Sequence, residues 1–492
     1  MQGQRLATVL VGMAVACANS PGSPATNRPD GGITAGSGIS TPNSATSSSN
    51  AAASTTAGGG AGGSASSATG SSASASIDAA ASSDNVVVNP GTAYQTMVGF
   101  GAADVYSPGG ALTSSLGTLF FDSTNGIGLS ILRVGIDTDG SILGNGAYSD
   151  IRLAASYGAI VWATPWSPPA SDKDNDDADD GGHLLTADYS SWASTLAGFV
   201  ATVKSQTGVQ LYGVSAQNEP EKAVPYLSCL YTGAQMVAFV KVLAPMLHAL
   251  NPPVKLLAPE CAAWSDLWTD GEQYGVAILA DPVAAADVDI LATHDYYATD
   301  PSQAFDPVAP PSGVTTPIWE TEVSGVEMTS QAGPSSDISN GIAVAQWIYN
   351  ALVTGGASAW HYWWLISDND DNEGLLLEDG GQTKRLHTVG NFSKFVRPGY
   401  QRVDVTGAVP PGVQVVAFTS PDDATVVVVA INTNSAATPL PLAIAGAQAP
   451  TQLTPWVTSA NDDLAEQTAV SLSAGSASIS LAAESVTTLV GK

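Results

Sequence analysis

LYGVSAQNEP, Leu211 to Pro220, is a mainly apolar run that breaks off at Gln217, Asn218 and Glu219 and is stopped by a proline. Its length suits one buried strand, and the polar cluster at its end must face something other than the core. A helix-like stretch, Gly233–Leu250, follows it. The same unit recurs along the chain. Val98–Ala102, Ser130–Ile136, Ala159–Thr164, Leu211–Gln217, Val254–Ala258, Val288–Thr293, Pro317–Thr321 and Ala357–Leu365 all read as short strands ending in polar or aromatic residues. Helix-like stretches such as Tyr189–Ser205 and Ile338–Thr354 stand between several of them. Eight strands alternating with helices over about 270 residues predict an α/β fold, the (β/α)8 or TIM barrel.

Beyond about Phe392 the pattern changes to alternating runs separated by turn residues: Gln401–Val405, Val413–Ser420, Thr425–Asn432, Gln452–Val457, Val470–Leu472, Ala477–Leu481 and Val486–Val490. These predict an antiparallel β-sandwich. Residues near Val86–Val88 are placed to add a strand to it. The predicted domains are a catalytic barrel over 86–390, whose first strand can join the side domain, and a packed β-sandwich over 391–492. Upstream, residues 17–85 are almost entirely Ser, Gly, Ala, Thr, Asn and Pro, which bury too little apolar area to offset chain entropy, so they read as a disordered linker. Residues 1–16 read as a signal peptide: Arg5, an apolar stretch, then Ala14-Val15-Ala16 as a cleavage site. A lipoprotein-type cut falls at the same bond and leaves Cys17 to carry a lipid anchor, so secreted and surface-tethered forms both stay open. Cys229 and Cys261 remain in the body, and their pairing depends on geometry that spacing does not reveal.

The 492 residues carry 15 basic and 44 acidic side chains, a net charge of −29. That charge repels nucleic acid and anionic lipid and suits a neutral substrate. The 50 glycines and 30 prolines imply a loop-rich molecule. Two body cysteines and scattered histidines argue against a zinc site, and neither a metal nor a cofactor is expected.

In a barrel the strand C-termini face the active site. Reading those ends collects Arg133, Trp166, Asn218, Glu219, Glu260, His294, Tyr296, Glu322 and Trp363. Carboxylates, aromatics and an arginine are what sugar-chain cleavage needs: rings stack on pyranose faces and two carboxylates share the acid/base and nucleophile work. Glu219 and Glu322 stand roughly a hundred positions apart, yet strands four and seven reach the same mouth. A carboxyl gap of roughly 5–5.5 Å makes such an enzyme retaining. The chemistry asks for a raised pKa at Glu219 and an ionised Glu322, which Arg133 and Tyr296 are placed to support. Glu320, two residues before Glu322, is a rival nucleophile. The bland reading gives each of these residues an ordinary place in core or loop; their joint position at strand ends weighs against it.

Nine stretches carry a resemblance: MVGFGAA, LSILRVGI, ATPWSPPASDK, YGVSAQNEPE, ATHDYY, IWETEVS, AWHYWW, NFSKFVRPGYQRVDVTG and SVTTLVG, spanning about Gln95 to the C-terminus. In order and spacing the set resembles family 30 of the glycoside hydrolases, which includes bacterial xylanases and human glucocerebrosidase. The resemblance implies that Glu219 is the acid/base, that Glu322 and not Glu320 is the nucleophile, and that Asn218 binds the sugar 2-hydroxyl. It also implies that Trp166, Tyr296 and Trp363 are subsite aromatics and that Arg133 is the second-strand arginine; His294, from its strand-end position, is expected among the substrate-binding residues.

FSKFVRPGYQRVDVTG and the Trp363-Trp364 pair are similar to the bacterial xylanase branch. Members of that branch specific for glucuronic-acid-decorated xylan carry a basic pair after the tryptophans; here Leu365, Ile366, Ser367 and the acidic run Asp368–Glu373 follow. A secreted, monomeric endo-β-1,4-xylanase without strict need for glucuronate is expected. A β-1,6-glucanase or β-1,6-galactanase is the alternative, and a non-catalytic polysaccharide-binding protein the alternative of another class. The acidic loop Asp172–Asp180 lacks the late glutamate of a calcium loop and reads as a solvated, mobile face.

Overall fold

A computed structural model describes residues 85–105, 110–144, 146–296, 307–325, 335–368, 370, 372–446 and 449–492. The signal-peptide, lipid-anchor and linker readings of residues 1–84 lie outside the described residues. Among these, no helix is long and apolar enough to cross a membrane.

Eight parallel strands close into a barrel in chain order: Gly99–Ala103, Ile131–Ile136, Ile160–Pro165, Gly213–Ser215, Lys255–Cys261, Ile290–Thr293, Ile318–Glu320 and Ala359–Ser367, the eighth pairing with both the seventh and the first. The predicted barrel is therefore present. Its strands are buried nearly end to end, as in ILRVGI, because helices cover one face and the barrel interior the other.

The interior is packed with rings. Trp162 meets Trp319 edge-on at 6.2 Å, and His361 lies within 6 Å of both. Trp162 Nε1 donates to His361 Nε2 at 3.1 Å while His361 Nδ1 donates to the Glu320 carbonyl at 2.7 Å. Burial lowers the His361 pKa to about 3, so the ring is neutral and this tautomer is fixed by its partners. Gly101 makes room for it: a Cβ there would stand 2.7 Å from the His361 ring and 2.8 Å from the Ile131 carbonyl.

The side domain is one curled sheet whose strands pair in the order Ala465–Glu466, Gln452–Thr458, Ser485–Gly491, Val426–Asn432, Val413–Thr419, Gln401–Thr406, Val86–Thr96, Thr438–Ile444 and Ser476–Leu481. Pairing is antiparallel except between Val86–Thr96 and Thr438–Ile444. The strand before the barrel thus sits in the side-domain sheet. The helix Lys384–Ser393 runs across position 390, where the sequence texture changes. Thr438–Ile444, TPLPLAI, has no counterpart among the predicted strands because Pro439 and Pro441 read as breakers. The parallel neighbour reaches only Leu442–Ile444, which leaves room at 439 and 441 for residues without an N–H.

Val426–Asn432, VVVVAIN, is buried at every position. Val426, Val428 and Ala430 belong to the sandwich core, whereas Val427, Val429 and Ile431 join the barrel's own cluster. Alternation along the strand gives it one face for each core.

Candidate active site

The backbone after strand four lies across two neighbouring strand ends. Asn218 N donates to the Pro165 carbonyl and Glu219 N to the Glu260 carbonyl, both at 2.9 Å. Gln217 Nε2 ties the turn down by donating to the Trp166 carbonyl at 2.6 Å and the Asn218 carbonyl at 2.8 Å. Glu219 and Glu260 adopt left-handed backbone, with φ of 44° and 66°. For residues with a Cβ such geometry costs of order 1–3 kcal/mol each, and it persists where surrounding bonds hold it. Glu221 supplies one of those bonds, accepting from Ala262 N at 2.5 Å.

Arg133, fully buried, is the hub. Its Nη1 donates to Glu322 Oε2, and its Nη2 donates to Asn218 Oδ1 at 2.7 Å and Glu260 Oε1 at 2.8 Å. Trp166, Trp162 and Trp363 lie around the guanidinium at 4.9, 5.4 and 5.5 Å from their ring centres. Holding the Asn218 carbonyl leaves its amide NH2 as the group that can donate to a sugar hydroxyl. Tyr296 Oη donates to Glu322 Oε1 at 3.1 Å, so both nucleophile oxygens are engaged. His294 Nδ1 lies 3.3 Å from Glu219 Oε1, and its Nε2 lies 3.7 Å from Glu260 and 3.8 Å from Glu322. One carboxylate oxygen of Glu219, one of Glu322 and a His294 ring nitrogen all fall within 4.8 Å of one another. Trp166 and Trp363 stand 6.0 Å apart, and Trp364 stacks behind Trp363 at 5.3 Å.

All nine residues read from the strand ends therefore converge on one mouth. Glu320 does not share their surface. Its carboxylate accepts from Glu322 N at 2.8 Å and His361 N at 2.7 Å, so it braces strands seven and eight from within. Glu260 was visible at a strand end without a role; here it is the second carboxylate on Arg133 and also accepts from Thr164 Oγ1 at 2.6 Å. A charged residue closing an apolar run was the available signal.

The electrostatic order corrects the sequence expectation. Burial opposes the charge of His294, but Glu322, Glu219 and Glu260 outweigh it and raise the pKa to about 10. Burial pushes the Glu219 carboxyl up, yet His294 overcomes it and leaves Glu219 below the ordinary value. At Glu322 burial prevails over His294 and Arg133, and the pKa is raised. In the free site the mobile proton thus rests on His294, not on Glu219. A raised histidine pKa contributes stability that is complete below its unfolded value near 6.5 and lost as pH climbs through about 10. The melting-temperature gap between wild type and His294→Asn is accordingly expected to be largest below pH 6.5 and to close toward pH 10. A gap constant over that range would count against a charged His294.

The acidic loop after strand three exposes Asp174, Asp176, Asp177 and Asp180 to solvent, as expected, but it is anchored from below. Lys173, 1% exposed, lies under it and donates to the carbonyls of Ser228 at 2.7 Å and Ala178 at 3.1 Å. Lys173 also pairs with Leu184 across the loop base, and Asp174 accepts from His183 N at 2.7 Å. Cys229 and Cys261 are buried and unpaired, and burial raises both thiols, Cys229 to about 12.

The description of the glycosyl hydrolase family 30 beta sandwich domain matches residues 399–489. The glucuronoxylanase XynC of Bacillus subtilis strain 168 is 33% identical over 415 residues, covering 83% of this chain and 92% of the relative. The chain belongs to glycoside hydrolase family 30. Two solved family 30 structures, each 28% identical and each aligned over 83% of this hydrolase, superpose on it. They are a GH30 endoxylanase from Clostridium papyrosolvens C71 (TM-score 0.69, all of that chain) and the subfamily 8 xylanase Xyn30A from Clostridium acetobutylicum (0.70, 99% of that chain). Fold, family and glycosidase activity of this hydrolase rest on that agreement.

Proposed function

We propose that this family 30 hydrolase is a secreted, retaining endo-β-1,4-xylanase that does not depend on glucuronic acid side groups. The supporting observation is the approach of Glu219 and Glu322 to within 4.8 Å, which suits a nucleophile bonding directly to the sugar and leaves no room for a water between carboxylate and anomeric carbon. Relatives named as xylanases point to the same polymer. Secretion rests on the reading of residues 1–16.

In the first step a Glu322 oxygen bonds to the anomeric carbon as the glycosidic bond breaks, and Glu219 delivers a proton to the departing oxygen. The proton Glu219 delivers comes from His294, 3.3 Å away, which loses its largest electrostatic support as Glu322 gives up its charge. In the second step water attacks the glycosyl ester, Glu219 takes the water's proton, and Glu322 leaves as a carboxylate bonded again to Arg133 and Tyr296. When Glu322 regains that charge, the proton Glu219 has taken from water returns to His294. Asn218, fixed by Arg133, donates to the 2-hydroxyl, a contact that tightens as positive charge develops.

Independence from glucuronate follows from the end of strand eight. Trp363-Trp364-Leu365-Ile366-Ser367 is continuous buried strand, and acidic residues follow where a carboxylate-bearing branch needs a cation. At saturating polymer, rates on glucuronoxylan and on enzymatically debranched xylan are expected to agree within about threefold, since an absent charged contact in the cleft cannot discriminate. Strict dependence on the uronic acid, or turnover of β-1,6-glucan or β-1,6-galactan instead, would overturn the substrate assignment. Early products should keep the β configuration by proton NMR; α-products would overturn the retaining course.

A further inference from the structure

The phrase NFSKFVRPGY does not reach the active site. Lys394, Phe395, Arg397 and Tyr400 instead form one wall of a groove of about 500 Å³ between the barrel and the side-domain sheet. Ser123 and Thr124, which follow the helix Ser114–Phe121 and lead into the start of strand two, complete that wall. Strand starts lie at the end of the barrel opposite the catalytic mouth, so the groove and the Glu219–Glu322 pair open on different ends of the molecule.

The floor is the outer face of the sheet. Gln452, Thr454 and Trp456 alternate along one strand, and Val490, paired with Thr454, continues the surface on the next. Side chains two apart on a strand face the same way at roughly 6.6 Å spacing. The result is a shallow track of amide, hydroxyl and indole groups, with Phe395 packed against Trp456 at 5.2 Å. Hydroxyl-bonding groups beside exposed ring edges suit the polar rim and apolar faces of a pyranose chain.

The wall carries two cations. Lys394 Nζ donates to the carbonyls of Thr124 at 2.7 Å and Gly126 at 3.0 Å, and Arg397 Nη1 to those of Ser393 at 2.6 Å and Gly128. All four acceptors are neutral. In a chain of 15 bases and 44 acids, the groove is lined by three cations, Lys394, Arg397 and Lys492, and one carboxylate, Glu466; no carboxylate is hydrogen-bonded to Lys394 or Arg397, although Asp122 stands close enough to act on the Lys394 charge.

We propose that this groove is a second, non-catalytic saccharide site that takes a carboxylate-bearing segment of xylan, its backbone sugars on the Gln452–Trp456 track and a uronate against Lys394 and Arg397. The proposal rests on the reading of this chain as a xylan-degrading enzyme, and it gives the acidic branches that the catalytic cleft does not require a place to bind. It would hold one stretch of polymer while the cleft works on another, raising the local concentration of cleavable bonds.

The test uses the full chain with Glu322→Gln, so that binding is read without hydrolysis, and affinity electrophoresis in gels of glucuronoxylan or of debranched xylan. Glucuronoxylan is expected to retard the protein at low salt. Lys394→Gln with Arg397→Gln should weaken that binding at least tenfold and remove its salt dependence, while retardation in debranched xylan changes less than twofold. Both cations also fasten the 124–128 loop, so a second variant leaves them in place. Thr454→Glu puts a like charge on the half-exposed track and should weaken glucuronoxylan binding similarly, with melting temperature and xylohexaose hydrolysis unchanged in the otherwise wild-type chain. Glucuronoxylan binding unaltered by Thr454→Glu, or equal retardation by the two polymers, overturns the proposal. If the wild type fails to cleave any xylan, it is the assigned activity that falls, and the binding measurement still decides the groove.

Discussion

Glu322→Gln is expected to lower kcat on xylan by on the order of 10⁴-fold or more, with KM nearly unchanged. The side chain keeps its volume, so the mouth keeps its shape, but the amide cannot form the glycosyl ester. Two other consequences separate this chemical loss from a general disturbance. Arg133 retains Glu260 and Asn218 as partners, so the variant should melt within a few degrees of the wild type. His294 loses the carboxylate that raises it most, so its pKa should fall well below about 10, which NMR of the ring protons can follow. Residual turnover within tenfold of wild type would remove Glu322 from the nucleophile's role, and Glu320 could not take it over, because both its oxygens accept from backbone N–H groups.

Replacing Glu219 with glutamine should act selectively. On xylan the departing oxygen needs a proton, and a loss of about 10²–10⁴-fold is expected. On an aryl xyloside with an acidic phenol the departing oxygen needs no proton, so ester formation should slow less than tenfold, and hydrolysis of the ester then limits the rate. Azide, which needs no base to attack, should restore turnover and give a β-glycosyl azide. Equal losses on both substrates, with no azide effect, would mean that Glu219 does not handle the proton. The left-handed backbone at this position makes the placement sensitive: a change that relaxes φ swings the carboxyl away from His294 without removing any atom of the acid.

Much of this was legible from the chain because barrel strands are uninterrupted apolar runs and the residue closing each run must point into the mouth. Asn218, Glu219, His294, Tyr296 and Glu322 were reached by that rule, whereas Arg133, a charge inside the apolar run ILRVGI, stood out by its chemistry. What escaped has physical reasons. Glu320 and Glu322 have the same local pattern, and only the backbone donors of Glu322 and His361 show which one is turned inward. The proton's place was misjudged because it is set by His294 packing against Glu219, Glu260 and Glu322 at once, a many-body balance that no pairwise spacing encodes. Lys173 looked like part of a charged loop, and its burial beneath the Ser228 carbonyl depends on a contact across 55 positions. Pro439 and Pro441 hid a strand because their cost depends on how far the neighbouring strand extends.

The strand of consecutive valines at 426–429 has one further consequence. Since it is lined on one side by sandwich residues and on the other by the helix Ile338–Val353 and the barrel's own cluster, the two halves are a single cooperative object with a common partition wall. Trimming the chain at the family's sandwich boundary would not liberate a minimal enzyme; it would strip the wall from the barrel and leave a sticky, aggregating remnant whose loss of activity says nothing about catalysis.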